Sequence, residues 1–448
     1  MNIQTRPSDA IVETASGKLR GAARGGVYSF KGIRYGASTA GARRFLPPAP
    51  PEAWSGIRDA FEYGPRAPQQ DGAIRPANAW IRDRNPIGED CLVLNVFTPG
   101  LGDGGKRPVM VYFHGGGYGR GSGGCTGLDG SNLARIGDVV VVTLNHRLNA
   151  FGFAYLAGIG GERFADAANA GVLDLVAALR WVRDHAAAFG GDAGNVTIFG
   201  QSGGGSKVAV CMTMPAAKGL FHKAIMQSSS SHLRLATEEN AVRTAHRLLA
   251  ELGIDKAQAA KLRDVPVEKL CAAYGATVAA FNANDSFRPV VDGRIVPNHP
   301  FDLAAPNLAA GIPLLIGTCE TEKSFYDIVL DPKDLPMSED KLLKAVARFV
   351  GIGEDAARGL IAGYREDRPG ISGRDLYNVI SSDHMYRRNA IEAAELKIRQ
   401  GGAPAWLYEF TWKTPALDGM LKTPHTLCLP FVFGNTDIAR EFTGAGPE

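Results

Sequence analysis

Short unbroken apolar runs punctuate this chain, separated by stretches in which apolar residues return every third or fourth position. Residues 108–113 and 138–144 are runs of the first kind, too short for helices and too uniformly apolar for a half-exposed surface, so both are expected as strands buried on both faces. Residues 195–199, 313–318 and 405–410 are expected to be strands too. Between them, residues 171–189 set Leu175, Leu179, Val182 and Ala186 along one helical face, and Gly190-Gly191 ends the helix. Residues 206–214 have the composition of a further helix, and 236–280 and 338–399 read as mostly helical. The N-terminal part is richer in strands, at 11–14, 18–22 and 90–97, with Pro47-Pro48-Ala49-Pro50-Pro51 as a surface connection. Strands alternating with helices predict an α/β fold with a large, mostly parallel central sheet and helices on both faces. Ligands in such sheets bind beyond the carboxyl ends of the strands.

Composition narrows this picture. The 448 residues, 45% hydrophobic and 21% charged, contain no linker-like tract, repeat or block of like charge, so residues 1–448 are expected to form one domain. The 55 glycines cluster at 115–124 and 200–205, which points to tight turns and close backbone approach at one site. A net charge of +3 with the two signs interleaved argues against a nucleic-acid partner. The longest β-branched run, Val139-Val140-Val141-Val142, is far short of the roughly 18 apolar residues that span a bilayer, so no membrane association is expected. The start, Met1-Asn2-Ile3-Gln4-Thr5-Arg6, lacks the apolar segment of a secretory signal, and Cys91, Cys125, Cys211, Cys271, Cys319 and Cys428 show no metal-ligand spacing. The expectation is a cytoplasmic protein with reduced thiols, no metal and no cofactor, its state as monomer or homo-oligomer left open.

Two glycine-rich segments carry the chemistry. Gly200-Gln201-Ser202-Gly203-Gly204 follows the expected strand 195–199 and precedes a helix, the context in which G-x-S-x-G forms a nucleophile elbow. The same five residues alone would equally suit a Gly/Ser loop; the flanking strand and helix decide for the elbow. His114-Gly115-Gly116-Gly117 follows the strand 108–113 and has the form of an esterase oxyanion loop. Gly116, Gly117 and Gly203, directly after the nucleophile, are assigned as the oxyanion donors. A phosphate-binding loop is the competing reading, but no Lys-Ser/Thr pair follows the glycines. His114 is read as a support for the loop and not as a base.

On these motifs, together with Phe30-Lys31-Gly32-Ile33-Arg34-Tyr35, Glu89-Asp90-Cys91-Leu92-Val93-Leu94-Asn95 and Asn145-His146-Arg147-Leu148, the chain resembles the type-B carboxylesterase/lipase family. This is the para-nitrobenzyl-esterase-like group related to the cholinesterases. The resemblance implies the α/β-hydrolase fold and hydrolysis of a small-molecule carboxylic ester through a Ser-His-Glu triad and an acyl-enzyme. Ile316-Gly317-Thr318-Cys319-Glu320-Thr321-Glu322-Lys323 is similar to the segment carrying the family's acid and implies Glu322, with Glu320 as the alternative because Thr321 and Lys323 depart from the usual neighbours. His425-Thr426-Leu427-Cys428-Leu429-Pro430-Phe431-Val432-Phe433-Gly434 resembles the segment carrying the base and implies His425, with Thr426 and Cys428 standing where the family has glycine and an acid. The order Ser202, Glu322, His425 is that of α/β-hydrolases. Ala67 stands where the family often has a cysteine bonded to that of the E-D-C-L segment, so this disulfide is not expected. The resemblance also implies helices beyond Phe433-Gly434-Asn435; with Glu448 as the last residue, either the chain is truncated or the enzyme does without that covering. Carbamate or amide hydrolysis with the same machinery, and a non-catalytic binding module, are the alternatives. The substrate pocket is expected around Trp80, 228–232 and 281–287, and His146 and His384 are the rival histidines.

Overall fold

The computed structural model describes residues 10–230, 232–280, 287–329 and 337–445. Twelve strands occur among them: β1 (Ile11–Thr14), β2 (Gly17–Arg20), β3 (Ala22–Arg24), β4 (Val27–Arg34), β5 (Ile57–Asp59), β6 (Val93–Thr98), β7 (Arg107–Phe113), β8 (Val140–Leu144), β9 (Gly191–Gln201), β10 (Lys223–Gln227), β11 (Leu314–Cys319) and β12 (Ala405–Phe410). Nine of them form one sheet in the order β12-β11-β10-β9-β7-β8-β6-β4-β3, while β1, β2 and β5 form a small separate sheet. From β12 through β8 all neighbours are parallel, and from β8 through β3 they are antiparallel. Every residue of β6 and β8 is buried, as expected of strands covered on both faces.

The alternation of side chains along β7 divides the core between the two faces of the sheet. Val109, Val111 and Phe113 join the larger cluster, with Leu175, Leu179 and Val182 of the helix Ala170–His185. Tyr112 points the other way, into a cluster with Phe97, Val141, Phe199, Phe433 and Phe442. The helix Ala170–His185 is prolonged by a 3-10 turn at Ala186–Phe189 and stopped at Gly190, whose φ of 73° suits a glycine.

Several strands differ from the sequence expectation. The expected strand 18–22 is divided between β2 and β3, which belong to different sheets. The chain crosses between them at Gly21, where a Cβ would stand 2.6 Å from the Ser29 carbonyl oxygen. Strands β4 and β10 carry polar residues and were not foreseen. β4 has a bulge between Phe30 and Ile33 that breaks its alternation, and β10 keeps Lys223 exposed at one end.

Within 338–399, the helices Glu339–Val350, Glu354–Asp367 and Gly373–Ser382 pack on one another around Leu342, Val346, Ile361, Leu376 and Ile380. A π-helical turn, Asp383–Arg387, leads from the last of these into the helix Arg388–Arg399. No helix among the described residues is long and apolar enough to cross a membrane.

Candidate active site

Register brings the chemistry to one edge. Phe113 at the end of β7 lies opposite Gly200 of β9, and Gln227 of β10 lies opposite both Gln201 and Gly317. The glycine loop, Ser202 and the Glu322 segment therefore leave the sheet side by side, at the carboxyl ends of parallel strands.

Ser202 stands alone between β9 and the helix Gly203–Thr213, with φ 59° and ψ −125°. That conformation costs a residue with a side chain on the order of 1–3 kcal/mol. The fold around it enforces the bend. A Cβ on Gly204 would stand 2.0 Å from the Phe113 carbonyl oxygen, and one on Gly200 would stand 2.4 Å from the Gly204 carbonyl carbon. The Ser202 N–H donates to the Gln227 carbonyl at 2.8 Å, which fixes the bend to β10.

Glu322 is fully buried at the start of the 3-10 helix that follows β11. Its Oε2 lies 2.5 Å from His425 Nδ1, its Oε1 accepts the Cys319 N–H at 2.7 Å, and its carbonyl accepts the His425 N–H at 3.1 Å. The imidazole is thus held by side chain and backbone together. Nδ1 carries the proton toward the carboxylate, which leaves Nε2 as an acceptor. Tyr386, from the π-helical turn, packs against the ring at 4.9 Å, and Phe325 meets it edge-on at 6.1 Å. Glu320 does not take this place: its Oε2 is 4.0 Å from Lys413 Nζ and accepts no hydrogen bond among the described residues.

Beyond the imidazole, the arrangement departs from the simplest expectation. Gln201 Nε2 lies 3.1 Å from His425 Nε2 and 3.3 Å from Nδ1, over the face of the ring, and among the described residues Ser202 Oγ makes no hydrogen bond to His425. The near-equal distance of Gln201 Nε2 to both ring nitrogens is that of an amide stacked on the imidazole, not of one donating to the Nε2 lone pair, and catalytic hydrogen bonds are often loose before substrate binds.

Gly116 and Gly117 have φ of 90° and 63°, and the Arg120 N–H donates to the Gly116 carbonyl at 3.2 Å, which folds the loop back on itself. The loop touches the elbow, since a Cβ on Gly203 would lie 2.5 Å from the Gly117 nitrogen. Among the described residues no acceptor takes the N–H of Gly116, Gly117 or Gly203. His114 is buried, with its ring stacked on His146 at 5.1 Å, and burial holds both imidazoles well below the usual histidine range. They are neutral supports of the loop. His384, the other rival, packs edge-on against Phe349 at 5.9 Å.

Two residues near the site escaped the sequence reading. One is Gln201, whose place inside the G-x-S motif was the available signal. The other is Lys207, fully buried in the helix Gly203–Thr213, whose Nζ donates to the His114 carbonyl at 2.8 Å and so ties that helix to the glycine loop. Burial pulls this ammonium down to about 7. A lysine among the apolar residues of an expected core helix was the signal there.

An open cleft of about 730 Å³ borders the glycine loop, walled by Gly116, Gly117, Tyr118, Ser230, Phe287 and Met385. Two of the expected wall segments contribute to it through Ser230 and Phe287, while Ser231 and 281–286 lie outside the described residues. Trp80 does not line it. Its ring is buried, stacked on Phe442 at 5.6 Å, and pressed against Gly127, because an indole gains more from that apolar cluster than from solvent. The far end of the His425 segment is moored to the other half of the chain. Asn435 Nδ2 donates to the carbonyls of Gly127 (3.1 Å) and Asp129 (2.9 Å), and Asn132 Nδ2 donates to the Gly434 carbonyl at 2.9 Å.

Parallel strands that deliver a serine on a strained bend, an imidazole tied to a buried carboxylate and a glycine loop to one edge are the organisation of an α/β-hydrolase. A model of the carboxylesterase family matches residues 8–445, and the chain belongs to that family. It is 39% identical over 432 residues to para-nitrobenzyl esterase of Bacillus subtilis (strain 168), covering 95% of this chain and 83% of the relative. To phenmedipham hydrolase of Pseudarthrobacter oxydans it is 33% identical over 440 residues, covering 97% and 84%. Among solved structures, a carboxylesterase of Geobacillus stearothermophilus matches with a TM-score of 0.82 and 38% identity, over 98% of this chain and 87% of that one. The protein is a serine hydrolase that cleaves carboxylic esters through an acyl-enzyme.

Proposed function

We propose that Ser202 is the nucleophile, His425 the general base and acid, and Glu322 the carboxylate that orients it, with the N–H groups of Gly116, Gly117 and Gly203 as the oxyanion hole, acting on small-molecule esters. The observation that carries this reading is the 2.5 Å contact from Glu322 to His425 Nδ1, on a ring that lies against Gln201, the residue before Ser202. As Oγ attacks the ester carbonyl, Nε2 takes its proton, and Glu322 stabilises the imidazolium so formed. The negative charge on the former carbonyl oxygen meets three main-chain donors; loss of one such donor typically removes about 2.7–4 kcal/mol of transition-state stabilisation. The imidazolium then protonates the leaving alkoxide. In the second half, Nε2 accepts a proton from water as it attacks the acyl-enzyme, and Ser202 regains its proton when the acid departs. A cytoplasmic setting belongs to the same reading, supported by six buried, unpaired cysteines.

Labelling with a fluorophosphonate probe followed by peptide mass spectrometry tests the assignment. The adduct is expected on the peptide containing Ser202, and Ser202→Ala is expected to abolish it while lowering ester turnover by about 10⁶. Retention of more than a few per cent of wild-type turnover by Ser202→Ala would end the assignment.

A further inference from the structure

Two arginines stand beside the oxyanion loop, the half-buried Arg82 and the exposed Arg120. Arg120 belongs to the loop itself, through its backbone bond to Gly116. Arg82 immediately follows the 3-10 helix Pro76–Ile81. Their side chains converge over Gly72: Arg120 Nη1 lies 2.9 Å and Arg82 Nη2 3.5 Å from the point a Cβ there would occupy. A side chain at position 72 would fill the space the two guanidinium groups share.

Two carboxylates, Asp71 and Asp83, border the same space. Asp71 is held by both terminal nitrogens of Arg66, and Asp83 accepts hydrogen bonds from Ser122 and Asn85. Among the described residues neither the Arg82 nor the Arg120 side chain makes a hydrogen bond or ion pair, and Arg82 Nε is buried without an acceptor. Burial, with the Arg120 charge second, pulls Arg82 below the usual arginine range. Both guanidinium groups border a cavity. The cavity measures about 270 Å³, and it shares Arg120, Gly72 and Asp71 with the cleft on Gly116 and Gly117.

We propose that Arg82 and Arg120 form a subsite for a carboxylate of the substrate, so that this enzyme selects esters carrying a negative charge remote from the scissile bond. The proposal rests on the esterase reading of the neighbouring site. Each guanidinium presents a planar fork of donors that matches a carboxylate, and a charge of the opposite sign relieves the repulsion between the two arginines. Because Arg120 is part of the oxyanion loop, the anion sits within one side chain's reach of the loop that receives the ester carbonyl.

The test compares 4-nitrophenyl hydrogen adipate with 4-nitrophenyl hexanoate, acyl chains of equal length that differ by the terminal carboxylate. The ratio of their kcat/KM values is measured for the wild type, Arg82→Gln/Arg120→Gln and Arg82→Lys/Arg120→Lys. The glutamine pair is expected to lower the adipate-to-hexanoate ratio by about tenfold or more, mainly through KM. The lysine pair keeps the charge but loses the fork, so its ratio is expected to fall between those of the wild type and the glutamine pair, and added salt is expected to lower the ratio in the wild type. An unchanged ratio in the glutamine pair overturns the subsite, whatever happens to the absolute rates. Failure of the wild type to cleave either ester overturns the esterase reading itself, an outcome distinct from cleavage without discrimination.

Discussion

Replacing Glu322 by glutamine tests the triad with almost no change of shape, and the surroundings dictate how the amide must sit. One carboxylate oxygen accepts the Cys319 N–H at 2.7 Å and the other faces His425 Nδ1 at 2.5 Å. The amide oxygen is needed at Cys319, since an NH₂ there would oppose another donor inside a fully buried site. The NH₂ group therefore faces Nδ1, which must give up its proton, and the proton moves to Nε2. An imidazole protonated at Nε2 cannot accept the Ser202 proton. Loss of the ionic hydrogen bond alone is worth about 1.5–3 kcal/mol, or roughly 10- to 150-fold. Inversion of the tautomer raises the expected loss in kcat to about 10⁴, the scale of the corresponding Asp→Asn change in chymotrypsin-like proteases. Steady-state hydrolysis of 4-nitrophenyl butyrate measures it, with circular dichroism to confirm folding. Glu320→Gln is the control and is expected to stay within about threefold of wild type, as a partly exposed substitution away from the imidazole. A Glu322→Gln enzyme that keeps more than about a tenth of wild-type kcat, or a Glu320→Gln enzyme that loses as much, refutes the reasoning.

Three other substitutions probe the site's supports. Lys207 is pulled down to about 7 from its ordinary 10.5, so between those values the unfolded chain binds a proton that the folded chain does not. Folding stability therefore rises with pH across that window, and the burial penalty is fully present below it. Lys207→Met removes the effect. The stability of the wild type relative to the variant, from urea unfolding, should shift toward the wild type between pH 7 and pH 9, by no more than about 3 kcal/mol, and parallel curves would contradict this. Thr426 holds a φ of 76° and buries an unpartnered Oγ1, so Thr426→Gly is expected to stabilise the fold by about 1 kcal/mol; a melting temperature that fails to rise argues otherwise. Gly116→Ala would bring a Cβ to 2.4 Å from the Arg120 carbonyl oxygen, displacing the loop, and kcat should fall by about 10²–10³ with a far smaller change in KM. Equal losses in kcat and 1/KM would point to a damaged binding cleft instead.

Much of the parallel half of the sheet was legible because burial on both faces forces continuous apolar runs. β7, β8, β9, β11 and β12 all overlap their expected ranges, although β9 extends from Gly191 to Gln201 and not merely over 195–199. One strand in each half was harder. β4, on the antiparallel edge, interrupts its own alternation with Lys31-Gly32, and β10, among the parallel strands, offers only Ala224-Ile225-Met226 as apolar signal. At the site, local motifs pointed to Ser202 and the glycine loop, whereas Glu322 and His425 rested on family resemblance, since nothing local distinguishes them from other acids and histidines. The roles of Gln201 and Lys207 were hidden for a different reason. An amide or an ammonium takes its meaning from its partner, and those partners lie 224 and 93 residues away in the chain. Trp80 was misplaced because a large aromatic suits a pocket wall and a core equally well until packing decides.

The mooring of Asn132 to Gly434 and of Asn435 to Gly127 has a bearing on how the enzyme is made. Contacts spanning 302 and 308 residues close only after residues 434 and 435 have emerged. A nascent chain that has emerged only as far as the helix Gly203–Thr213 carries Ser202 but not yet Glu322 or His425. Ser202 and His425 therefore meet only through contacts of long sequence separation, whose closure has an entropic cost that the finished fold must offset.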